Sequence, residues 1–281
     1  MLFQKLMGKG PTSMISPSAP KTLWTWGRNN YGQLGLGDVI HRSSPVQVGA
    51  LATWSRIAGG SSHSVATKTD GTLWSWGGNS TGYLGLGDTV YRSLPVQVGT
   101  LATWSAISAG SQFSLTLKTD GTLWAWGRNE LCGQLGLGDI ARRSSPTQVG
   151  TLATWSQLAV GRYHSLALKT DGTLWGWGQN KYGQLGLGDA STGYPSYIKK
   201  YRSSPVQVGT LSTWSQIAGG HHHSVAIKTD GTLWSWGRHD FGQLGLGDII
   251  NRSSPVQVGT LATWTVIAKG SDAYHSIALH V

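Results

Sequence analysis

Three adjacent imidazoles, His221, His222 and His223, are the first residues whose type and spacing could do chemistry, since histidine is the commonest metal ligand among side chains. Along an extended segment, however, neighbouring side chains point to opposite sides. The run also lacks an adjacent carboxylate, and the single cysteine, Cys132, lies far away in sequence. No metal and no cofactor are expected. The glycine-rich strings of the form GQLGLGD invite a phosphate-cradling reading, but they carry neither the Lys-Ser/Thr pair nor the helix that a phosphate loop needs. Fifteen tryptophans could stack sugars or absorb light. Aromatic residues beside cations have the composition of interface anchors. They occur in the segment ASTGYPSYIKKY, residues 190–201, which holds Tyr194, Tyr197, Lys199, Lys200 and Tyr201.

The elements that must position these residues come from a repeat. TLWxWG begins at Thr22, Thr72, Thr122, Thr173 and Thr232, and a GQLGLGD-like block, an RSSPVQVG-like block and LATW or LSTW follow each copy. Five units result, spanning 22–71, 72–121, 122–172, 173–231 and 232–281. The tryptophans divide evenly among them, as Trp24, Trp26 and Trp54 do in the first, so core packing is the expected role. Nine of the twelve acids sit in the repeated GLGD and TDG turns, leaving only Glu130, Asp240 and Asp272. No recurring carboxylate pair is therefore free for acid–base work, and no Ser-His-Asp or Cys-His arrangement stands out. His63, His164, His223 and His275 share one slot with Phe113, which makes that slot structural. The chain reads as non-enzymatic.

Each unit reads as four short strands. Asp-Gly between alternating apolar runs, as in HSVATK-TDG-TLWSWG, is a hairpin signal. Four strands in about fifty residues is the blade of a β-propeller. The expected fold is all-β: a five-bladed propeller of four-stranded blades over 22–281. The repeat is entered after the TDG position and left before it, so a composite blade of N- and C-terminal strands is expected to close the ring and remove its edges.

The blocks WxWGRNxxGQLGLGD and GGxxHSVAxKTDGTLW resemble the repeats of the regulator of chromosome condensation family over residues 22–281. The resemblance implies a rigid propeller working through protein contacts. The family's members include a nucleotide exchange factor, a plant ultraviolet photoreceptor and a bacterial enzyme inhibitor. Its rings usually have seven blades where this chain encodes five, so either the ring is smaller or several chains combine. The Gly-Trp-Arg-His-Thr motif of the photoreceptors is absent.

Function is then expected where the units differ, on loops that a rigid frame presents. The corners before the repeated His read Ser61-Ser62, Ser111-Gln112, Arg162-Tyr163, His221-His222 and Ser271-Asp272-Ala273-Tyr274, and should gather on one face. Arg162, Tyr163, His221, His222 and Tyr274, with the residues of the 190–201 loop, are the candidate partner-binding set. Residues 1–21 read as a basic arm in which Lys5, Lys9 and Lys21 could tether the chain to an assembly. Net charge is +10, which leaves nucleic acid an open alternative, although the repeated arginines could simply pair with the repeated aspartates. No apolar run reaches the length of a secretory signal or a membrane span. Cytoplasmic synthesis is expected, with a protein partner in a phage virion or bacterial assembly as the leading expectation. An exchange factor or DNA-associated protein, and a carbohydrate-binding lectin, are the alternatives.

Overall fold

In a computed structural model the described residues are 21–130, 132–190, 201–268 and 270–281. They are all strand and turn, as the repeat implies. A first half-blade holds β1 (Trp24–Gly27) and β2 (Arg42–Gln47). Four complete blades follow: β3–β6 (Trp54–Gly59, His63–Lys68, Leu73–Gly77, Arg92–Gln97), β7–β10 (Trp104–Ala109, Phe113–Lys118, Leu123–Gly127, Arg143–Gln148), β11–β14 (Trp155–Val160, His164–Lys169, Leu174–Gln179, Tyr201–Gln207) and β15–β18 (Trp214–Gly219, His223–Lys228, Leu233–Gly237, Arg252–Gln257). A last half-blade holds β19 (Trp264–Ile267) and β20 (Ala278–His280). Strands within each complete blade pair antiparallel in chain order, with the same register each time: His63↔Gly77, Phe113↔Gly127, His164↔Gly178 and His223↔Gly237.

The repeated residues build the frame. In each TDG turn the aspartate ties down the next strand: Asp70 Oδ1 accepts from Thr72 N at 2.9 Å and from Thr72 Oγ1 at 2.6 Å. The Thr72 hydroxyl in turn accepts from Trp74 Nε1 at 2.9 Å. Trp54 meets Trp74 edge-on at 6.2 Å and Trp76 at 5.8 Å, and Lys68 Nζ sits 3.6 Å from the Trp74 ring centre. This trio packs against Leu23, Leu36 and Val48 of the first half-blade, so the core lies between blades. Close approach explains the glycines of GQLGLGD. Gly35 has a φ of +74°, and a Cβ there would lie 2.7 Å from Trp76 Nε1.

The composite blade is where the structure departs from expectation. β1–β2 and β19–β20 are separate two-stranded sheets, and β20 does not pair with β1. The joints between successive units are tightly packed, since a Cβ on Gly32 would lie 2.6 Å from Ser93 Cα, and the first and last half-blades do not come together as one sheet. Ile57 on β3 is consequently 66% exposed, whereas Ile217, its counterpart on β15, is fully buried.

Candidate functional site

An antiparallel meander sends alternate turns to opposite ends of its strands. The TDG turns and the LATW links lie at one end of each blade; the corners and the connections between third and fourth strands lie at the other. The five corners do gather on one face, joined by a chain of contacts around the axis. Ser61 Oγ lies 3.1 Å from Ser111 Oγ, and Ser111 N donates to the Arg162 carbonyl at 3.4 Å. Arg162 Nη1 contacts His221 Nε2, and His221 N donates to the Ala273 carbonyl at 2.8 Å. Ser61 Oγ donates to Asp272 Oδ2 at 3.3 Å, completing the circuit.

One arc of this circuit is richer than the rest. His221 is buried between neighbours, stacked on Tyr274 at 4.1 Å and edge-on to His222 at 4.1 Å. Its Nε2 is 2.7 Å from the Tyr274 hydroxyl. Because a guanidinium only donates, the contact with Arg162 makes His221 Nε2 an acceptor and puts the proton of the neutral ring on Nδ1. That Nδ1, like Nδ1 of His222, has no hydrogen-bond partner among the described residues. Burial first, then the Arg162 charge, lowers the His221 pKa, with Asp272 opposing. Burial first, then the neighbouring His221, His164, Arg238 and Arg162, pushes His222 down to about 3. Both rings are neutral at physiological pH.

Around them lie Tyr163, whose ring holds the Arg162 guanidinium at 5.1 Å, and Tyr182, 5.0 Å from His222. The Arg238 guanidinium is 5.1 Å from Tyr182 and 5.3 Å from Phe241, and Asp240 binds it at 2.7 Å. Asp272 approaches the buried cluster without bonding it, 3.6 Å from His221 Nε2 and 3.8 Å from Arg162 Nε. The result is a patch of aromatic faces and guanidinium groups with few competing acids. Its chemistry is recognition: planar stacking, cation–π contact and hydrogen-bond donation.

Of the candidate residues, the structure therefore brings together Arg162, Tyr163, His221, His222 and Tyr274. Tyr201 stands apart, half-buried at the start of β14 and paired with Gln179. Lys21 is at the opposite face, bridging Trp54 through backbone bonds of 3.2 and 3.3 Å. Tyr194, Tyr197, Lys199 and Lys200, and the arm residues Lys5 and Lys9, lie outside the described residues. Among the described residues no cluster of three His, Cys, Asp or Glu could hold a metal ion.

Sequence reasoning missed Arg238, Tyr182, Phe241 and Asp272. A signal was available for two of them. The residue before the first glycine of GQLGLGD varies among the units, as Tyr31, Thr81, Cys132, Tyr182 and Phe241. The repeated cations are spent internally: Arg42, Arg92, Arg143, Arg202 and Arg252 pair with the GLGD aspartates. Lys68, Lys118, Lys169 and Lys228 cover tryptophan faces.

The repeat of the regulator of chromosome condensation, RCC1, matches residues 22–67, 70–117, 120–168, 171–227 and 230–279. The chain belongs to the RCC1 repeat family. It is similar to the ultraviolet-B receptor UVR8 of Arabidopsis thaliana, 35% identical over 255 residues that make up 88% of this chain and 56% of that protein. The chain thus spans about half the length of this relative. In fold it is similar to human WBSCR16, with a TM-score of 0.77 at 23% identity over 93% of this chain and 68% of that one. Yeast Prp20p, whose structure was described with its binding to Gsp1p and histones, gives a TM-score of 0.76 at 23% identity, over 92% of this chain and 64% of that one. The likeness to Prp20p bears out the β-propeller fold.

Proposed function

We propose that this RCC1-repeat chain is a recognition scaffold that binds a protein partner through its corner face, with Arg162, Tyr163, His222, Arg238 and Tyr274 at the contact. The observation that carries this reading is convergence. Residues that differ from unit to unit come from separate blades and meet in one aromatic and guanidinium-rich patch. Such residues are the commonest energetic anchors of protein interfaces. No reaction is assigned to the site.

Nucleic-acid binding draws less support, because the nine repeated cations are already paired or stacked. An exchange-factor role rests on family likeness, and a lectin role on the tyrosines of the 190–201 loop. A place in a virion finds no counterpart among the relatives named above. The test compares tagged chains in extract of the source cells. Arg162→Ala with Tyr163→Ala is expected to abolish capture of a partner that Asp120→Ala, on the other face, still captures. Equal capture by both would refute the reading. Nucleotide release from a small GTPase, or duplex DNA binding that weakens with salt, would favour the alternative.

A further inference from the structure

One joint is built four times within the chain. The second tryptophan of a unit enters the GQLG loop of the unit before it. There its indole Nε1 donates to a backbone carbonyl: Trp76 to Gln33, Trp126 to Tyr83, Trp177 to Gln134 and Trp236 to Gln184, at 2.9–3.0 Å. The same four carbonyls also accept from serine hydroxyls, those of Ser64, Ser114, Ser165 and Ser224. None of these four tryptophans is more than 1% exposed.

The fifth copy of each half of the joint exists but stands empty. Trp26 is 60% exposed. At the other end, the Gln243 carbonyl accepts from Ser276 Oγ at 2.8 Å and has no indole beside it. A carbonyl oxygen has two lone pairs, so among the described residues one acceptor site is left there. Where Gly35, Gly85, Gly136 and Gly186 each abut an indole nitrogen, Gly245 is neighboured only by Val258. A groove of ≈ 340 Å³ lies there, lined by Phe241, Gln243, Gly245, Val258, Trp264 and Ile277 among others. The strand edges match as well. Among the described residues β20 has no outer neighbour and β1 no inner one, and such edges are templates for pairing. Ile277 and Leu279 are 56% and 61% exposed, whereas their counterparts Leu166 and Leu168 are buried.

We infer that the last half-blade of one copy receives the first half-blade of a second copy, so that the two complete a blade across chains. The register of the complete blades assigns the pairs: Ala278 opposite Trp24, Ser276 opposite Trp26 and His275 opposite Gly27, as Ala66, Ser64 and His63 stand opposite Trp74, Trp76 and Gly77. Trp26 of the second copy then enters the Gly245 groove and bonds the Gln243 carbonyl, and its Trp24 meets Trp264. A second copy fits better than closure within one chain. The half-blades of one chain do not pair with each other, and the existing joints have little slack: a Cβ on Gly32 would lie 2.6 Å from Ser93 Cα. Each contact uses one head and one tail and leaves one of each free on the assembly. The contact is heterologous.

Light scattering on the full chain tests this. The mass is expected to rise with concentration. A head variant, Trp26→Arg, and a tail variant, Ile277→Arg with Leu279→Arg, should each hold the mass of one chain. Their equimolar mixture should reach twice that mass and go no further, since the pair's one intact head and one intact tail are both used in the contact. This rescue requires both variants to be folded. A wild-type chain that keeps the mass of one chain at every concentration would overturn the proposal, as would a head variant that assembles like the wild type.

Discussion

The two faces of the propeller are made by the same strands and differ in what they hold. On the turn face, Asp70, Asp120, Asp171 and Asp230 repeat one arrangement, each accepting from the backbone and hydroxyl of the threonine two residues on. The matching slots of the corner face hold Ser-Ser, Ser-Gln, Arg-Tyr and His-His. Every blade needs its TDG turn to join the second strand to the third, so that chemistry recurs wherever a blade does. A corner needs only a glycine and a way back into the sheet, which frees its tip for recognition.

The largest effect should come from damage to the frame that both faces share. Trp177 is fully buried, and its indole is bonded to Gln134. Trp177→Ala should cost about 3–5 kcal/mol in urea unfolding and abolish partner binding with it.

The buried imidazoles below the corners come next. Burial pushes His63, His164 and His222 down to about 3 and His223 to about 4, from an ordinary value of 6.5. An unfolded chain takes up protons on these groups below pH 6.5, while the folded chain resists. Stability should therefore be fully present above about pH 6.5 and decline as pH falls towards 4. His63→Phe copies Phe113, which fills the same slot. It should reduce by one the protons taken up on unfolding, read from urea midpoints at several pH values. An unchanged slope would mean that His63 is not held neutral.

Smaller effects separate the faces. Asp120→Ala removes two hydrogen bonds from the turn face and should lower the melting temperature slightly, leaving partner affinity unchanged. Arg238→Ala should leave stability within about 0.5 kcal/mol, as for an ordinary surface substitution. Its effect on partner affinity should be a loss of about tenfold or more, the range of an interface anchor. If Asp120→Ala harmed binding more than Arg238→Ala, the contrast between the faces would fail.

Much of this was legible in the residues. HSVATK and TLWSWG mark two strands of the blade they build, and their starts, His63 and Thr72, lie within a residue of the observed His63 and Leu73. The gathering of the corners followed from the meander alone. Pairing of Arg42 with Asp38 was anticipated as the alternative to a free basic ring, and the structure shows that pairing in all five units. The contacts of Asp272 and the approach of Arg238 to Tyr182 were not legible, because these partners come from other units and depend on how closely the corners approach the axis. The unpaired half-blades were missed for a related reason. A repeat shows which strands lack neighbours, whereas the angle between blades is set by the shape of each joint, as at Gly32 against Ser93.

The central claim is that the corner face, not the turn face, meets the partner. A photo-crosslinking amino acid placed at Tyr163 reports on the first, and one at Thr119, an exposed turn residue, on the second. Irradiated in extract of the source cells, the Tyr163 position should yield one discrete cross-linked protein that is lost on adding Arg238→Ala, and the Thr119 position should yield none. The same product from Thr119, with none from Tyr163, would contradict the account.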